Sequence, residues 1–268
     1  MYFCGLDIGS CMSKIVLIDE NEDIVCYRSS KSGFEIRKTI SNLYESVLKD
    51  QNIRKDQVKY IVATGYGRNV ALAFFADDKV TEITCHAKGV HKIFPKCHTV
   101  IDIGGQDSKA IRLDIDGRVS TFVMNDKCAA GSGRFLEVMS NAIGVSVDDL
   151  GLLSMKSKNK ATISSTCTVF AETEVISMIA SEVKREDIIA GIHDAIATKV
   201  SALTRSTGIE DEVVMTGGVA KNIGVVKSLE EKIGHVIYVP PEPLITGALG
   251  AALIAKDRYE SKICDAET

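Results

Sequence analysis

DIGSCMSK at residues 7–14 recurs as DIGGQDSK at residues 102–109, and this repeat decides the fold. Each copy follows an apolar run and precedes a second strand-like run, IVLID in the first copy and AIRLD in the second. Two strands that are joined by a glycine turn form a hairpin, whose backbone N–H groups can approach phosphate oxygens. Because two such hairpins facing each other would clamp a nucleotide, the repeat predicts an ATP site between two similar lobes.

The composition is that of a folded protein without a strongly charged surface. The chain has 268 residues, a hydrophobic fraction of 45% and a formal net charge of -4. No cluster of lysines and arginines forms a nucleic-acid footprint, and the longest apolar stretches have strand length, which disfavours a membrane span. The N-terminus lacks the basic start and the small-residue cleavage site of a secretory signal. We therefore expect a cytoplasmic protein that binds neither nucleic acid nor membrane.

A three-strand pattern accompanies each copy of the repeat. The predicted strands are residues 2–8, 13–19 and 23–30 for the first copy, and residues 98–103, 108–114 and 118–124 for the second. The second half of the chain is mainly helical, with amphipathic stretches at 131–143, 168–180 and 187–203. This mixed order of strands and helices favours an α/β fold.

A third glycine-rich segment, MTGGVAKN at residues 215–222, follows a predicted strand and opens a predicted helix. Its two glycines can pack beneath an adenosine, and the helix that follows offers N–H groups to an anion. The segment is neither a G-x-G-x-x-G nor a Walker motif, which disfavours dinucleotide-binding and P-loop folds. Ordinary turn chemistry would explain a single Asp-x-Gly hairpin, but two equally spaced copies and this third segment favour a nucleotide site.

Eight cysteines are spread along the chain, and most are expected to be small buried side chains. Cys128, in NDKCAAGSGRF, and Cys167, in SSTCTVFAETE, differ because each directly precedes a predicted helix. The positive end of a helix favours a thiolate, and Ser164, Ser165 and Thr166 are candidate caps for the second helix. A [4Fe-4S] cluster usually takes four cysteines, so two per chain would suit a symmetric dimer that shares one cluster. Buried structural cysteine remains the alternative at both positions.

The phosphate hairpins, the Gly-Gly segment and the late Ala/Gly-rich helix, GALGAAL at residues 247–253, resemble the actin/hexokinase/heat-shock-chaperone ATPase superfamily. That resemblance implies two ribonuclease-H-like lobes of α/β structure, hinged around ATP. We accordingly place the first lobe at residues 1–96 plus 245–268, with a closing C-terminal helix. The second lobe, at residues 97–244, would carry the adenosine segment and the two cysteines that precede helices.

NDKCAAGSGRFLE and ISSTCTVFAETEVIS, together with IDIGGQDSK and VATGYGR, resemble the BadF/BadG/BcrA/BcrD ATPase family over nearly the whole chain. Within that family, the resemblance is to the activators (component A) of 2-hydroxyacyl-CoA dehydratases. It implies a homodimer with one [4Fe-4S] cluster, held by Cys128 and Cys167 of both subunits. It also implies ATP-driven transfer of one low-potential electron to a partner dehydratase, after reduction by ferredoxin or flavodoxin. A benzoyl-CoA reductase-like or double-cubane partner stays open, because specificity would lie on the partner.

The three glycine-rich segments and the TGYGR turn supply the candidate nucleotide-binding residues. We predict that ATP or ADP binds to Gly9, Ser10, Cys11, Met12, Ser13, Lys14, Gly65, Tyr66, Asp102, Gly104, Gly105, Gln106, Gly217, Gly218 and Asn222. Asp7 and Asp102 end strands, where a carboxylate can hold hydrated Mg²⁺. Gln106 and Asp107 could orient the hydrolytic water, with Asp7 as a further catalytic candidate. Cys11 stands where the family usually has a hydroxyl, so any contact of that hydroxyl is lost in this chain.

Other chemistry and other functions also fit parts of the sequence. Five potential metal ligands lie close together: Cys85, His86, His91, Cys97 and His98. Their spacing matches no common zinc pattern, so we expect buried cysteines at 85 and 97, and histidines that are solvated or locally bonded. A small-molecule kinase of the same superfold and a redox or ATP sensor without electron transfer stay open as functions. The short connections leave little room for an acceptor pocket, which disfavours the kinase.

Overall fold

The computed structural model describes residues 1–164 and 167–267, which form two compact units. The units comprise Met1–Lys96, Asp114–Val119 and the chain from Leu244 onward for the first, and Cys97–Leu113 and Ser120–Pro243 for the second. No helix in these described ranges is both long and apolar enough to span a membrane.

Strands dominate the early part of each unit, and helices dominate the rest of the second. In chain order the elements are β1 Tyr2–Ile8, β2 Met12–Asp19, β3 Ile24–Lys31, α1 Ile36–Asp50, β4 Val58–Thr64, α2 Arg68–Phe74, β5 Asp78–Lys79, α3 Glu82–Ile93, β6 Thr99–Ile103, β7 Ser108–Leu113, β8 Val119–Asn125, α4 Gly133–Ile143, α5 Leu150–Ser154, α6 Thr168–Ala180, α7 Arg185–Thr207, β9 Val213–Thr216, α8 Ile223–Ile233, β10 Ile237–Tyr238 and α9 Thr246–Glu267. Both predicted three-strand patterns are confirmed, as β1–β3 and β6–β8.

The two sheets share one topology. The first has the strand order β3-β2-β1-β4-β5, and the second has the order β8-β7-β6-β9-β10. In each sheet, the first strand of the repeated hairpin is central. It pairs antiparallel with the second hairpin strand on one side and parallel with a later strand, β4 or β9, on the other. The short sequence repeat therefore marks a repeated sheet of five strands.

The central strands of the first sheet are covered on both faces, as β2 shows. Val16 and Ile18 pack in one apolar cluster with α9, whereas Ile15 and Leu17 pack in another with α1. A strand that is covered on both faces has no polar alternation, which explains the unbroken run IVLI in β2. In the second unit, α4, α6, α7 and α8 share one core with β6 and β9.

Helix α9 approaches β1 and α3 so closely that glycine is required at the contacts. A Cβ atom at Gly250 would lie 1.8 Å from the carbonyl oxygen of Cys85, and one at Gly5 would lie 1.9 Å from that of Ala248. In both cases the obstructing atom belongs to the backbone, so the collision cannot be relieved by a side-chain rotation.

We expect Gly250→Ala to lower the free energy of unfolding by a net of about 1–3 kcal/mol, because the added methyl group overpacks the contact between α3 and α9. Chemical denaturation monitored by circular dichroism measures this loss. Ser261→Ala, at an exposed position of the same helix, is the matched control. Equal stability of the Gly250 variant and the control would contradict the close contact.

Candidate functional site

The first hairpin turn is closed by its backbone and braced by a serine from outside the repeat. The amide of Gly9 donates to the carbonyl of Met12 at 3.0 Å. Ser32 then holds the turn from the end of β3: its hydroxyl donates to the carbonyl of Gly9 at 2.6 Å, and its amide donates to the carbonyl of Cys11 at 2.9 Å. Ser10 is exposed at the tip, and Cys11 and Met12 are partly buried. The turn is thus held in one shape, with its tip accessible.

Asp7 and Lys14 form an ion pair at the base of this turn. The strand register places them opposite each other, and Lys14 Nζ donates to Asp7 Oδ2 at 2.9 Å. Asp7 is 5% exposed. The hydroxyl of Ser13, the residue before Lys14 on β2, lies 2.9 Å from the hydroxyl of Ser32.

The second hairpin repeats this geometry in the second unit, with a more deeply buried lysine. The amide of Gly104 donates to the carbonyl of Asp107 at 2.9 Å. Lys109 is 1% exposed, and its Nζ lies 3.0 Å from Asp102 Oδ2 and 2.9 Å from Asp107 Oδ1. Since a buried charge is stable only when it is paired, these two ion pairs explain how Lys109 can be buried.

The two residues predicted to place the hydrolytic water differ in access. The carboxylate of Asp107 is folded back into its own turn: a Cβ atom at Gly104 would lie 2.4 Å from its Oδ1. Gln106, in contrast, is exposed at the tip of the turn. The geometry makes Gln106 the better candidate for contact with a water, and both roles stay predictions.

A Thr-Gly pair ends the strand that lies parallel to the central strand in each sheet: the threonine is the last residue of β4 or β9, and the glycine follows it. Sequence reasoning missed this second repeat. Thr64 lies beside Asp7 in the register and Thr216 beside Asp102. Thr216 Oγ1 donates to Asp102 Oδ1 at 3.0 Å. The glycine after each threonine has a positive φ, 79° at Gly65 and 84° at Gly217. The signal was present in the sequence, as VATG and VMTG after two apolar strands.

Glycine is required in this pair because the backbone passes directly over the aspartate. A Cβ atom at Gly65 would lie 2.6 Å from Asp7 Oδ1, and a Cβ atom at Gly217 would lie 2.8 Å from Asp102 Oδ1. Tyr66, which follows the first pair, is 54% exposed. In TGYGR, predicted as a glycine turn, the last residue, Arg68, is also the first residue of helix α2.

The predicted adenosine segment leads from β9 through a short 3-10 helix, Gly218–Lys221, into α8. Gly217 is buried and Gly218 is exposed. The side chain of Asn222 caps α8, since its Oδ1 accepts the amides of Gly224 at 3.0 Å and Val225 at 3.2 Å. Asn222 therefore shapes the segment, and its oxygen is already occupied by the start of the helix.

Cys128 lies in a tight loop that is tied to the second hairpin. Asn125 Nδ2 donates to the carbonyl of Cys128 at 2.8 Å, and the thiol is partly buried against the core of the second unit. The predicted helix at 131–143 begins at Gly133. Its first N–H groups, which commonly lack a partner, are occupied.

Two backbone hydrogen bonds join this helix to the second hairpin turn. The amide of Gly133 donates to the carbonyl of Gly104, and the amide of Arg134 donates to the carbonyl of Gly105, each at 2.8 Å. The turn that is predicted to bind phosphate and the helix that follows Cys128 are therefore one continuous hydrogen-bonded structure.

Cys167 is exposed and occupies the N-cap position of α6, without a side-chain cap. The expectation that Ser164 caps this helix is wrong, because its amide and hydroxyl both donate to the carboxylate of Glu174, at 2.8 and 2.6 Å. Ser165 and Thr166, the other two candidate caps, lie outside the described residues.

Of the five potential zinc ligands, Cys85, His86 and Cys97 are buried, and His91 and His98 are partly buried. Burial raises the pKa of the Cys85 and Cys97 thiols to about 12. His86 Nδ1 lies 3.3 Å from the hydroxyl of Thr246. In the part of the chain that the structure describes, no three histidine, cysteine or acidic side chains gather into a metal site.

Asp187, at the start of α7, anchors the segment that leads towards Cys167. Its Oδ1 accepts the hydroxyl of Ser157 at 2.7 Å and the amides of Lys158 and Asn159, each at 3.1 Å. These donors, the Ser157 hydroxyl above all, hold the pKa of the Asp187 carboxyl below its ordinary value.

We expect the stabilisation by Asp187 to disappear in acid. A carboxyl whose pKa is depressed in the folded state stabilises the fold above its unfolded pKa of about 3.9, and this contribution is lost as the pH falls through the folded pKa. Asp187→Asn should therefore lower the unfolding temperature at neutral pH, and the difference from the parent chain should shrink below about pH 4. Thermal unfolding at both pH values measures this. Asp148→Asn, at an exposed carboxylate, is the control, and an Asp187→Asn difference that is the same at both pH values would contradict the anchor.

Comparisons with known proteins agree with this geometry. The model of the BadF/BadG/BcrA/BcrD ATPase family matches residues 4–255. A 2-hydroxyisocaproyl-CoA dehydratase activator of Clostridioides difficile is 49% identical over 258 residues, which cover 96% of each chain. The (R)-2-hydroxyglutaryl-CoA dehydratase activating ATPase of Acidaminococcus fermentans is 46% identical over 255 residues, 95% of this chain and 97% of the relative. A solved structure of the activator of the 2-hydroxyisocaproyl-CoA dehydratase from Clostridium difficile, with bound ADPNP, has a TM-score of 0.93 at 47% identity and covers 99% of this chain and 98% of that one.

More distant proteins are also similar over most of their length. One component of the benzoyl-CoA reductase of Thauera aromatica is 34% identical, over 96% of this chain and 93% of the relative. A ROK family glucokinase from Streptomyces griseus has a TM-score of 0.62 at 13% identity, covering 96% of this chain and 100% of that one, and so shows a likeness of fold alone. These solved structures confirm the predicted α/β fold with two lobes.

Proposed function

The chain belongs to the BadF/BadG/BcrA/BcrD ATPase family, and we propose that it is an ATP-dependent activator that passes one low-potential electron to a 2-hydroxyacyl-CoA dehydratase. Two relatives of nearly the same length, at 49% and 46% identity, are named as activators of such dehydratases. Their names support a dehydratase as the partner of this chain. The acyl group of the substrate would be set by that partner.

Each hairpin, within its own unit, and the adenosine segment carry residues that we propose to bind the nucleotide. Each hairpin offers a braced glycine turn and, at its base, a buried aspartate held by a lysine. Asp7 and Asp102 are suited to hold the water ligands of Mg²⁺, because carboxylates commonly bind this ion through one or two contacts and leave it several waters. Gln106 would place the hydrolytic water. The structure that carries ADPNP in a related protein supports ATP as the nucleotide.

Cys128 and Cys167 are the proposed ligands of a [4Fe-4S] cluster. Cys4, Cys85 and Cys97 are buried, and burial raises the pKa of their thiols, which disfavours the thiolate that a cluster needs. Cys128 and Cys167 precede α4 and α6, which pack on each other. Bound there, the cluster would supply a one-electron carrier.

A second copy of the chain would complete the ligand set. A cluster of this kind usually takes four thiolates, and the described residues of one chain form no complete metal site. A two-fold axis would bring two cysteines from each protomer together. Helix α6 supports this arrangement, since Val169, Phe170 and Ile176 are 65%, 66% and 53% exposed after Cys167, and exposed apolar helix surfaces suit a protein partner.

The observation that carries the proposal is the pair of backbone hydrogen bonds between the second hairpin turn and α4. Because Gly104 and Gly105 accept the amides of Gly133 and Arg134, a displacement of the turn acts directly on the helix that follows Cys128. Binding or hydrolysis of ATP at the turn could therefore change the position of the thiol. Reduced ferredoxin or flavodoxin would restore the electron after each transfer.

An activation assay tests this function. The protein, purified without oxygen and reduced, would be mixed with a purified 2-hydroxyacyl-CoA dehydratase, its substrate, Mg²⁺ and ATP, and enoyl-CoA formation would be followed. We expect dehydration to start only with ATP, and not with ADPNP in its place. Activation of the dehydratase without any nucleotide would contradict the proposal. So would an iron-loaded protein that activates none of several such dehydratases.

A reductase of the benzoyl-CoA type is the second candidate partner, because the Thauera aromatica relative is named as a component of such an enzyme. The same assay distinguishes the two partners when the dehydratase is replaced by the catalytic component of a benzoyl-CoA reductase. ATP-dependent reduction of the aromatic thioester, without activation of any dehydratase, would favour the reductase.

A further inference from the structure

We propose that His193 is a positioning residue for ATP, because it fixes the side-chain orientation of Asn222 and thereby the shape of the Gly217–Asn222 segment. This inference rests on the proposed adenosine role of that segment. It is independent of the cluster and of the partner enzyme. His193 lies on α7 and is fully buried, and neither the repeat nor any motif in the sequence points to it.

The orientation of the Asn222 amide follows from its neighbours. Two backbone amides, those of Gly224 and Val225, point at one end of the side chain. Only the carbonyl oxygen can accept them, so that end is Oδ1. The other end, Nδ2, then lies 3.2 Å from His193 Nε2.

This contact fixes the tautomer of the imidazole. Asn222 Nδ2 can only donate hydrogen bonds, so His193 Nε2 must be the unprotonated nitrogen that accepts. The proton of the neutral ring is then on Nδ1. A charged ring would place an N–H group against the amide donor. Burial favours the neutral form as well, since it lowers the pKa of His193 to about 4.

The backbone at Gly224 also packs closely against the imidazole ring. A Cβ atom at Gly224 would lie 2.3 Å from His193 Nδ1 and 2.2 Å from the hydroxyl of Ser154. Among the described residues, His193 Nδ1 has no hydrogen-bond partner. An unsatisfied buried N–H is unfavourable, and an apolar side chain would avoid it. Core packing alone therefore does not account for a histidine here, whereas an acceptor for Asn222 does.

The segment between β9 and α8 depends on this amide. Its first residue is Gly217, whose amide donates to the carbonyl of Pro243 at 3.0 Å. Its last residue is Asn222, whose amide donates to the carbonyl of Val219 at 2.9 Å and whose side chain caps α8. If the side-chain amide turned over, Nδ2 would face the N–H groups of the helix, and the cap and the shape of the segment would be lost together.

Two substitutions of similar size separate this role from plain packing. His193→Gln keeps an acceptor, Oε1, for Asn222, whereas His193→Leu removes it. We expect His193→Leu to weaken ATP binding about tenfold, the equivalent of a lost helix cap, with kcat for ATP hydrolysis nearly unchanged at saturating ATP. His193→Gln should recover most of the affinity. Calorimetric titration with MgATP and steady-state hydrolysis measure both, and equal affinities for the two folded variants would overturn the proposal.

The protonation state of the ring gives a test that needs no variant of His193. Long-range ¹⁵N–¹H NMR correlations of the nucleotide-free protein should show the Nδ1–H tautomer. Asn222→Asp, which puts an acceptor in place of the amide donor, should shift the ring to an Nε2–H form. An Nε2–H ring in the parent protein would overturn the inference. Since neither experiment involves iron or a dehydratase, failure here is distinct from failure of the proposed electron transfer.

Discussion

Cys128→Ser is expected to remove the iron–sulfur cluster and to abolish dehydratase activation while ATP still binds. A cluster that is shared between two chains loses two of its four thiolates when one cysteine per chain is replaced, and thiolate is the ligand that it requires. Cys128 precedes α4 and takes no part in the hydrogen bonds that join this helix to Gly104 and Gly105. Those hydrogen bonds involve only backbone atoms. The hairpin turn should therefore keep its shape in the variant.

Iron and sulfide content, measured on protein purified without oxygen, checks the first part of this prediction, and calorimetric titration with ATP checks the second. Cys264→Ser is the matched control, because Cys264 is an exposed cysteine in α9, within the first unit. The control should keep both iron and activation. A Cys128→Ser protein with the iron content of the control would contradict the ligand assignment.

Gly217→Ala is expected to weaken ATP binding and to lower the rate of ATP hydrolysis by about a hundredfold, the loss of rate that a displacement of about 1 Å can cause in a precisely positioned site. Gly217 has a φ of 84°, which disfavours any residue with a Cβ atom. The added atom would also lie 2.3 Å from the carbonyl oxygen of Ile103 and 2.8 Å from Asp102 Oδ1. The substitution should therefore displace the end of β6, the carboxylate proposed to hold Mg²⁺ and the adenosine segment at once.

Gly234→Ala separates the collision from the backbone strain. Gly234 has a φ of 77°, close to that of Gly217, but a Cβ atom there would meet nothing within 4 Å. Both variants carry the strain, and only Gly217→Ala carries the collision. Equal ATP affinities and equal hydrolysis rates for the two would show that the position of Asp102 does not matter for the nucleotide.

The repeated hairpins could be predicted from the sequence because their determinants are local. An aspartate at a strand end, a glycine turn and a lysine seven positions later specify the register that the structure shows, with Asp7 opposite Lys14 and Asp102 opposite Lys109. The unbroken apolar runs beside them set the strands, and the cysteine motifs carried the family resemblance. The dehydratase, the ferredoxin or flavodoxin and the shared cluster stay proposals.

The parts that sequence reasoning missed depend on contacts between distant segments. Ser32 braces the first turn from the end of β3, and His193 reaches Asn222 from α7. Neither lies in a motif. The inward orientation of the Asp107 carboxylate follows from its ion pair with the buried Lys109, and its role in orienting the hydrolytic water stays a prediction.

The capping role of Asn222 had a readable signal in the sequence. Asn222 was predicted only as a nucleotide-binding residue, which stays a prediction, but an asparagine directly before an apolar helical stretch is also typical of an N-cap. The structure shows that role. A helix cap and a nucleotide segment can coincide, because both need backbone N–H groups at the start of a helix.

Native mass spectrometry of the protein, purified and sprayed without oxygen, tests the central claim most directly. We expect a species with the mass of two chains and one [4Fe-4S] cluster, and the same measurement on Cys128→Ser should show the loss of that cluster mass. A complete cluster on each single chain, or a dimer that binds ATP but holds no iron, would contradict the account.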